Sequence, residues 1–297
     1  MNRHEFLRTL HERLRPRSYL EIGIRDGRGL AQSRTRTIGV DPQYKITAEL
    51  ACDLHLVKAT SDDFFARADA LGWFPEGVID LAFIDGMHLF EFAFRDFINV
   101  ERNATPHSVV MFDDMLPRSV DEAARDRHTV SWTGDVFKVA TVLERYRSDL
   151  VVVPLDTEPT GMVLVAGLDP ANRMLVEAYD EILAEFVVDD PQQVPDDVLH
   201  RRSAAVPQCV LDLPVWEELR RNRDAAVGTP DLSALRALRG TADYRLDPPP
   251  AEPWPKPARK PKSGAAGKRA AAKQQAPAVK RGPFRRRRRR ARAAPTR

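Results

Sequence analysis

At 297 residues, with 43% hydrophobic and 7% aromatic residues, the chain has the composition of a folded protein with a substantial core. No apolar run approaches the ~20 residues of a membrane span, the opening Met-Asn-Arg-His-Glu-Phe-Leu-Arg is charged rather than signal-like, and Cys52 and Cys209 are too few for a disulfide framework or a zinc cluster. A reducing cytoplasm is therefore the expected compartment. The net charge of +3 conceals an asymmetry: from Ala251 onward 17 Lys and Arg residues face one acid, Glu252, so that stretch carries +16 and residues 1–250 carry −13.

Phe6, Leu7, Leu10 and Leu14 follow helical spacing up to Pro16, which predicts a leading amphipathic helix packed on a sheet. Seven short apolar runs then alternate with helix-length stretches, at 19–24, 37–40, 54–59, 79–84, 108–112, 150–154 and 162–166. That alternation implies a doubly wound α/β fold with a seven-stranded, mostly parallel, Rossmann-like sheet. The turn-like Asp156-Thr-Glu-Pro-Thr-Gly161 joins the last two runs as an antiparallel hairpin. The expected organisation is a sheet domain over 1–168, a helical appendage over 169–246 and a basic tail over 247–297. The tail is Pro-rich, then Lys/Ala-rich, and ends in six consecutive arginines, Arg285–Arg290. Such a composition buries too little apolar surface to order itself, so disorder is expected.

The first strand enters a G-x-x-x-G-x-G turn at Gly23, Gly27 and Gly29, whereas a loop that cradles a dinucleotide pyrophosphate has G-x-G-x-x-G. Glu21, at the end of that strand, would repel a pyrophosphate. It can instead neutralise the amino or sulfonium end of a cationic cofactor, which points to S-adenosylmethionine and away from a nicotinamide dinucleotide. Asp41 closes the second strand, where a carboxylate accepts both hydrogen bonds of a ribose diol. Asp62 follows the third strand, where it can flank an adenine ring or simply belong to a helix N-cap.

After the fourth strand comes Asp85-Gly-Met-His88, and after the fifth comes Asp113-Asp114. Ligands of doubly wound sheets gather beyond the carboxyl ends of the strands, so these four residues should converge beside the nucleoside crevice. Carboxylates facing one cavity need a countercharge, which a hard divalent cation such as Mg²⁺ supplies. A hydroxyl is a poor nucleophile until it loses its proton. Imidazole, with an ordinary pKa of about 6.5, is too weak a base to do this alone, but a metal acidifies the oxygen it binds. His88 and Asp85 would then share the catalytic work. Each acid also has a plain structural alternative as a cap or turn residue. Asp135 and Lys138 either face the same site or form a surface ion pair.

Together, Glu21-x-Gly23-x-x-x-Gly27, Asp41, Asp85-Gly-x-His88 and Asp113-Asp114 resemble the class I S-adenosylmethionine-dependent methyltransferases over residues 15–168. Within that superfamily the chain is similar to the branch of metal-dependent macrolide-sugar O-methyltransferases. The resemblance implies Mg²⁺ ligands at Asp85, Asp113 and Asp114, a base at His88, and cofactor contacts at Glu21, Gly23 and Asp41. Gly27, Asp62 and Asp85 complete the cofactor set expected from position, and the acceptor would be a hydroxylated small molecule or sugar. One departure is Pro106-His107-Ser108, where that family has Pro-Gly-Gly before the fifth strand. No Asn/Asp-Pro-Pro-aromatic motif follows the fourth strand and neither cysteine follows a proline, which argues against base methylation.

The basic tail would hold nucleic acid or another polyanion nonspecifically and salt-sensitively. With only Trp254 and Phe284 to stack, it would not read sequence. A second reading makes the chain a polyanion-binding scaffold with a catalytically silent methyltransferase-like domain. Oligomeric state is open, a homo-oligomer included.

Overall fold

The computed structural model describes residues 1–239. Helix α1 (Arg3–Leu14) begins at a capping box: Asn2 Oδ1 accepts the His4 and Glu5 amides at 3.0 and 3.1 Å, and Glu5 Oε2 accepts the Asn2 amide at 3.0 Å. It ends where Arg15 turns left-handed, φ 47°, ahead of Pro16. Seven strands follow: β1 (Ser18–Ile22), β2 (Arg36–Val40), β3 (Asp53–Val57), β4 (Leu81–Ile84), β5 (Val109–Phe112), β6 (Val151–Leu155) and β7 (Met162–Ala166). They form one sheet in the order β3-β2-β1-β4-β5-β7-β6. Strands β1 to β5 pair in parallel, and β7 runs antiparallel to both β5 and β6. The doubly wound sheet and its antiparallel close are thus as the apolar runs predict. Strand β1 stops two residues early because Gly23 leaves the extended region at φ +89°.

Helices α2 (Ser61–Phe65), α3 (Phe90–Glu101) and α4 (Lys138–Tyr146) cover one face. There Leu20, Ile22, Ala82, Ile84, Val110 and Phe112 meet Phe64, Phe94, Phe97 and Val142. The alternate residues Tyr19, Leu81, Phe83, Val109 and Met111 face α1, packing with Phe6, Leu7, Leu10 and Leu14. This period of two has a consequence at the strand ends. Counted on from Tyr19, Phe83 and Met111, the residues Glu21, Asp85 and Asp113 belong to the α1 side.

Six short helices follow residue 168: α5 (Met174–Glu177), α6 (Tyr179–Phe186), α7 (Asp196–Leu199), α8 (Pro207–Leu211), α9 (Val215–Ala225) and α10 (Ser233–Ala237). Leu175 and Ile182 join the α3 side, while Val210, Trp216, Leu219 and Leu235 join the α1 side. The Trp216 indole is fully buried and donates to the Val210 carbonyl at 2.8 Å. These helices therefore add to both layers of the sheet rather than enclose a core of their own. Among the described residues no helix is long and apolar enough to cross a membrane. The basic tail expected over 247–297 lies outside the described residues.

Candidate active site

The strand order reverses between β1 and β4, the point beyond whose carboxyl ends doubly wound sheets take their ligands. Three loops are tied together there. The Gly23 amide donates to the Val40 carbonyl at 2.9 Å and the Asp85 amide to the Ile22 carbonyl at 2.8 Å. A Cβ on Gly23 would lie 1.9 Å from the Asp85 carbonyl oxygen, so only glycine permits this approach. Gly27, φ +85°, closes the turn by donating to the Ile24 carbonyl at 2.7 Å. Asp41 Oδ2 accepts the Arg25 amide at 2.9 Å and Oδ1 accepts the Gln43 amide at 2.6 Å. Each oxygen keeps a second lone pair for a ribose hydroxyl.

Two of the expected cofactor positions have partners within the protein. Glu21 is buried beneath the turn, where the Tyr19 hydroxyl donates to Oε2 at 2.8 Å; a Cβ on Gly29 would lie 2.4 Å from Oε1. Burial raises its carboxyl pKa to about 8, against the Tyr19 hydrogen bond, which lowers it. The side chain thus lies directly against the Gly29 backbone, under the turn that β1 runs into. The physical reason is strand alternation, which turns Glu21 toward the α1 layer. Asp62 is paired bidentately with Arg95, at 2.7 and 3.0 Å, and its side chain stays 46% exposed. The helix-start reading of its segment holds, with Thr60 as the cap.

At the next two strand ends, Asp85, His88 and Asp114 bring one donor atom each within 4.8 Å of one another. His88 Nε2 lies 3.1 Å from Asp85 Oδ1, and Nδ1 lies 3.0 Å from the Trp132 carbonyl and 3.1 Å from Asp114 Oδ2. Burial lowers the imidazole pKa, but the Asp85 hydrogen bond, the Asp114 and Asp85 charges and the Trp132 carbonyl outweigh it and raise it to about 9. Burial raises the Asp114 carboxyl, opposed by the His88 charge and the Thr160 hydroxyl that donates to it. His88 and Asp114 both hold left-handed backbones, φ 55° and 58°, a strained arrangement typical of functional sites. Asp113 stands apart from this trio: it is buried, and Arg3 of α1 donates to its Oδ2 and also lies 3.5 Å from Asp85 Oδ2. Of the expected metal set, Asp85 and Asp114 belong to this trio and Asp113 borders it, joined to Asp85 through Arg3. The cleft bounded by Asp85, His88 and Asp113 holds about 10 Å³, the room of one water or ion.

The segment after β5 folds back over His88. The Trp132 ring stacks on the imidazole at 5.2 Å and 13°, and its indole N–H donates to the Ala124 carbonyl at 2.6 Å. Gly134, φ +59°, passes so close that a Cβ would lie 1.6 Å from the His88 carbonyl oxygen. Asp135 is fully buried and caps α3 from a distance, accepting the Phe90 amide at 2.8 Å. Arg125 at 2.7 Å and Lys138 at 2.9 Å neutralise it. Asp135 and Lys138 are accordingly neither a surface pair nor open to the site; they anchor the covering segment. Arg3, Trp132 and Gly134 were not identifiable from the sequence, because no local pattern marks a contact across 110 or 44 positions. For Arg3, the alternation of the strands pointing Asp85 and Asp113 at α1 was the available signal.

The sheet order puts the glycine turn and the acid at the end of β2 at the point where the strand order reverses, a Rossmann-like arrangement. Residues 20–115 match the family model described as a methyltransferase domain. No curated protein matches the chain. Among solved structures it is similar to the O-methyltransferase TomG from Streptomyces achromogenes, involved in tomaymycin synthesis and solved with SAM. The identity is 17% over 56% of this chain and 79% of that one, with a TM-score of 0.40. An O-methyltransferase from Bacillus cereus in complex with SAH is 14% identical over 55% and 79%, with a TM-score of 0.39. MycE of the mycinamycin biosynthetic pathway, in complex with Mg and SAH, is 14% identical over 57% and 49%, with a TM-score of 0.39.

Proposed function

We propose that the protein transfers the methyl group of S-adenosylmethionine to a hydroxyl of a small molecule or sugar, with a divalent cation at the acidic cluster. The observation that carries this reading is His88 held between Asp85 and Asp114, one short loop from the Gly23 turn. The donor set suits a hard cation: two carboxylates and an imidazole converge, with the Asp113 carboxylate beside them. Asp85, Asp114 and Asp113 would hold the ion. When bound it acidifies a hydroxyl that it coordinates.

The remaining work falls to the chain itself. Asp41 accepts the ribose hydroxyls, and Gly23 lets the Asp85 loop close against the end of β1 beside them. In its neutral form, His88 would exchange its Asp85 partner at Nε2 for the acceptor hydroxyl and take up its proton, while Asp114 and the Trp132 carbonyl hold Nδ1 and so fix the ring. The covering segment from Trp132 to Asp135 keeps bulk water from the imidazole. Methyl transfer is dominated by positioning, with the acceptor oxygen held about 3–3.5 Å from the methyl carbon.

Calorimetric titration with S-adenosylhomocysteine tests the first step: binding is expected in the wild type and weakening in Asp41→Ala. Absence of binding by the wild type refutes the reading. Turnover on a panel of hydroxylated acceptors, with and without Mg²⁺, tests the second; Asp85→Asn and His88→Gln are each expected to lower it by about 10²-fold or more.

A further inference from the structure

We propose that Arg3 is a resident cation of the acidic cluster, which a divalent metal must displace, so that metal binding and withdrawal of Arg3 are one event. This rests on the metal-binding reading above. Arg3 Nη1 bonds Asp113 Oδ2 and lies 3.5 Å from Asp85 Oδ2, so one guanidinium engages two carboxylates of the cluster. The contact is built into the fold. Strand alternation turns both acids toward α1, and the first turn of α1 is fixed by the Asn2–Glu5 capping box and by buried Phe6 and Leu7.

The chain start is pinned on the other side as well. The Glu158 amide donates to the Met1 carbonyl at 3.1 Å, two residues before Thr160, whose hydroxyl bonds Asp114. Residues 1–3 therefore run from the Glu158 amide to the Asp113 and Asp85 carboxylates. A guanidinium carries donors only and a full charge. It cannot remain on a carboxylate oxygen that coordinates a cation, because like charges a few ångströms apart repel strongly in a partly buried site. The Arg3 side chain is already 20% exposed, and rotation about its long stem carries the charge to water.

Metal binding is therefore a competition, and removing the competitor strengthens it. Titration of MnCl₂ into the full chain is expected to show about tenfold tighter binding for Arg3→Ala than for the wild type, with Arg3→Lys between them. In the wild type the Arg3 Nε–Hε resonance, assigned by its loss in Arg3→Lys, should move to the position of a free guanidinium as metal saturates. Asp114→Asn, a ligand that Arg3 does not touch, reports on the metal site itself.

Equal or weaker binding by an Arg3→Ala protein of unchanged Tm overturns the proposal, as does an Arg3 resonance that stays in place at saturation. If the wild type binds metal, Asp114→Asn does not, and Arg3→Ala matches the wild type, the competition fails while the metal site stands. If neither wild type nor Arg3→Ala binds metal, the metal reading fails and this proposal falls with it.

Discussion

In protein stripped of divalent metal, His88 is expected to be an imidazolium at neutral pH. Its ring is clamped at both nitrogens, 3.1 Å from Asp85 Oδ1 and 3.1 Å from Asp114 Oδ2. Burial by itself would push the pKa down, so the rise from 6.5 to about 9 measures how far the two acids and the Trp132 carbonyl prevail. At ~1.4 kcal/mol per unit that rise corresponds to about 3 kcal/mol. The sign follows from linkage: a raised folded-state pKa gives stability that is complete below pH 6.5 and is lost as pH climbs through about 9. Long-range ¹H–¹⁵N NMR of the ring, assigned with His88→Gln, gives the titration directly, and thermal unfolding in EDTA from pH 6 to 10 gives the energy. Asp85→Asn removes both a hydrogen bond and a charge, and should lower the titration point by more than a unit. Added Mg²⁺ should lower it too, since the acids that hold the proton are shared with the cation. A wild-type ring that titrates between pH 6 and 7, or one indifferent to Asp85→Asn, refutes the reasoning.

Gly134→Ala combines a left-handed backbone with a Cβ 1.6 Å from the His88 carbonyl oxygen, so the covering segment must move. A displacement near 1 Å at a catalytic group costs about 10²-fold in kcat/KM, and steady-state kinetics should show that loss beside a smaller stability change of roughly 1–3 kcal/mol. Trp216→Ala empties a fully buried indole site and orphans the Val210 carbonyl, for a cost of about 3–5 kcal/mol. Calorimetry should show a single transition roughly 6–20 °C lower; two transitions, only one of them moved, would mean that the helices after residue 168 fold separately. His11 is buried with an unpartnered Nε2, and burial lowers its pKa to about 3. Its depressed value makes the folded state resist protonation, so stability should fall as pH drops from 6.5 toward 3. His11→Phe should flatten that acid limb in a series of urea unfolding curves.

The seven apolar runs became the seven strands because a sheet covered on both faces needs near-continuous apolar segments, and the glycine turn announced itself because only glycine permits the Gly23–Asp85 approach. Asp85, His88 and Asp114 were legible as neighbours because strand ends of a doubly wound sheet converge. What each carboxylate faces was not. Glu21 and Asp113 at strand ends and Asp62 in α2 bond Tyr19, Arg3 and Arg95 respectively. Those partners lie from 2 to 110 positions away.

Apolar periodicity and the positions of the strand ends make the sheet and the chemical types beyond it legible in the chain alone. Which partner each acid meets is a matter of tertiary packing. That depends on the side of the sheet to which strand alternation turns each residue, and on which cation a distant helix or loop brings to meet it. Arg3 at the start of α1 and the Trp132–Asp135 segment over His88 are the two instances that define this site.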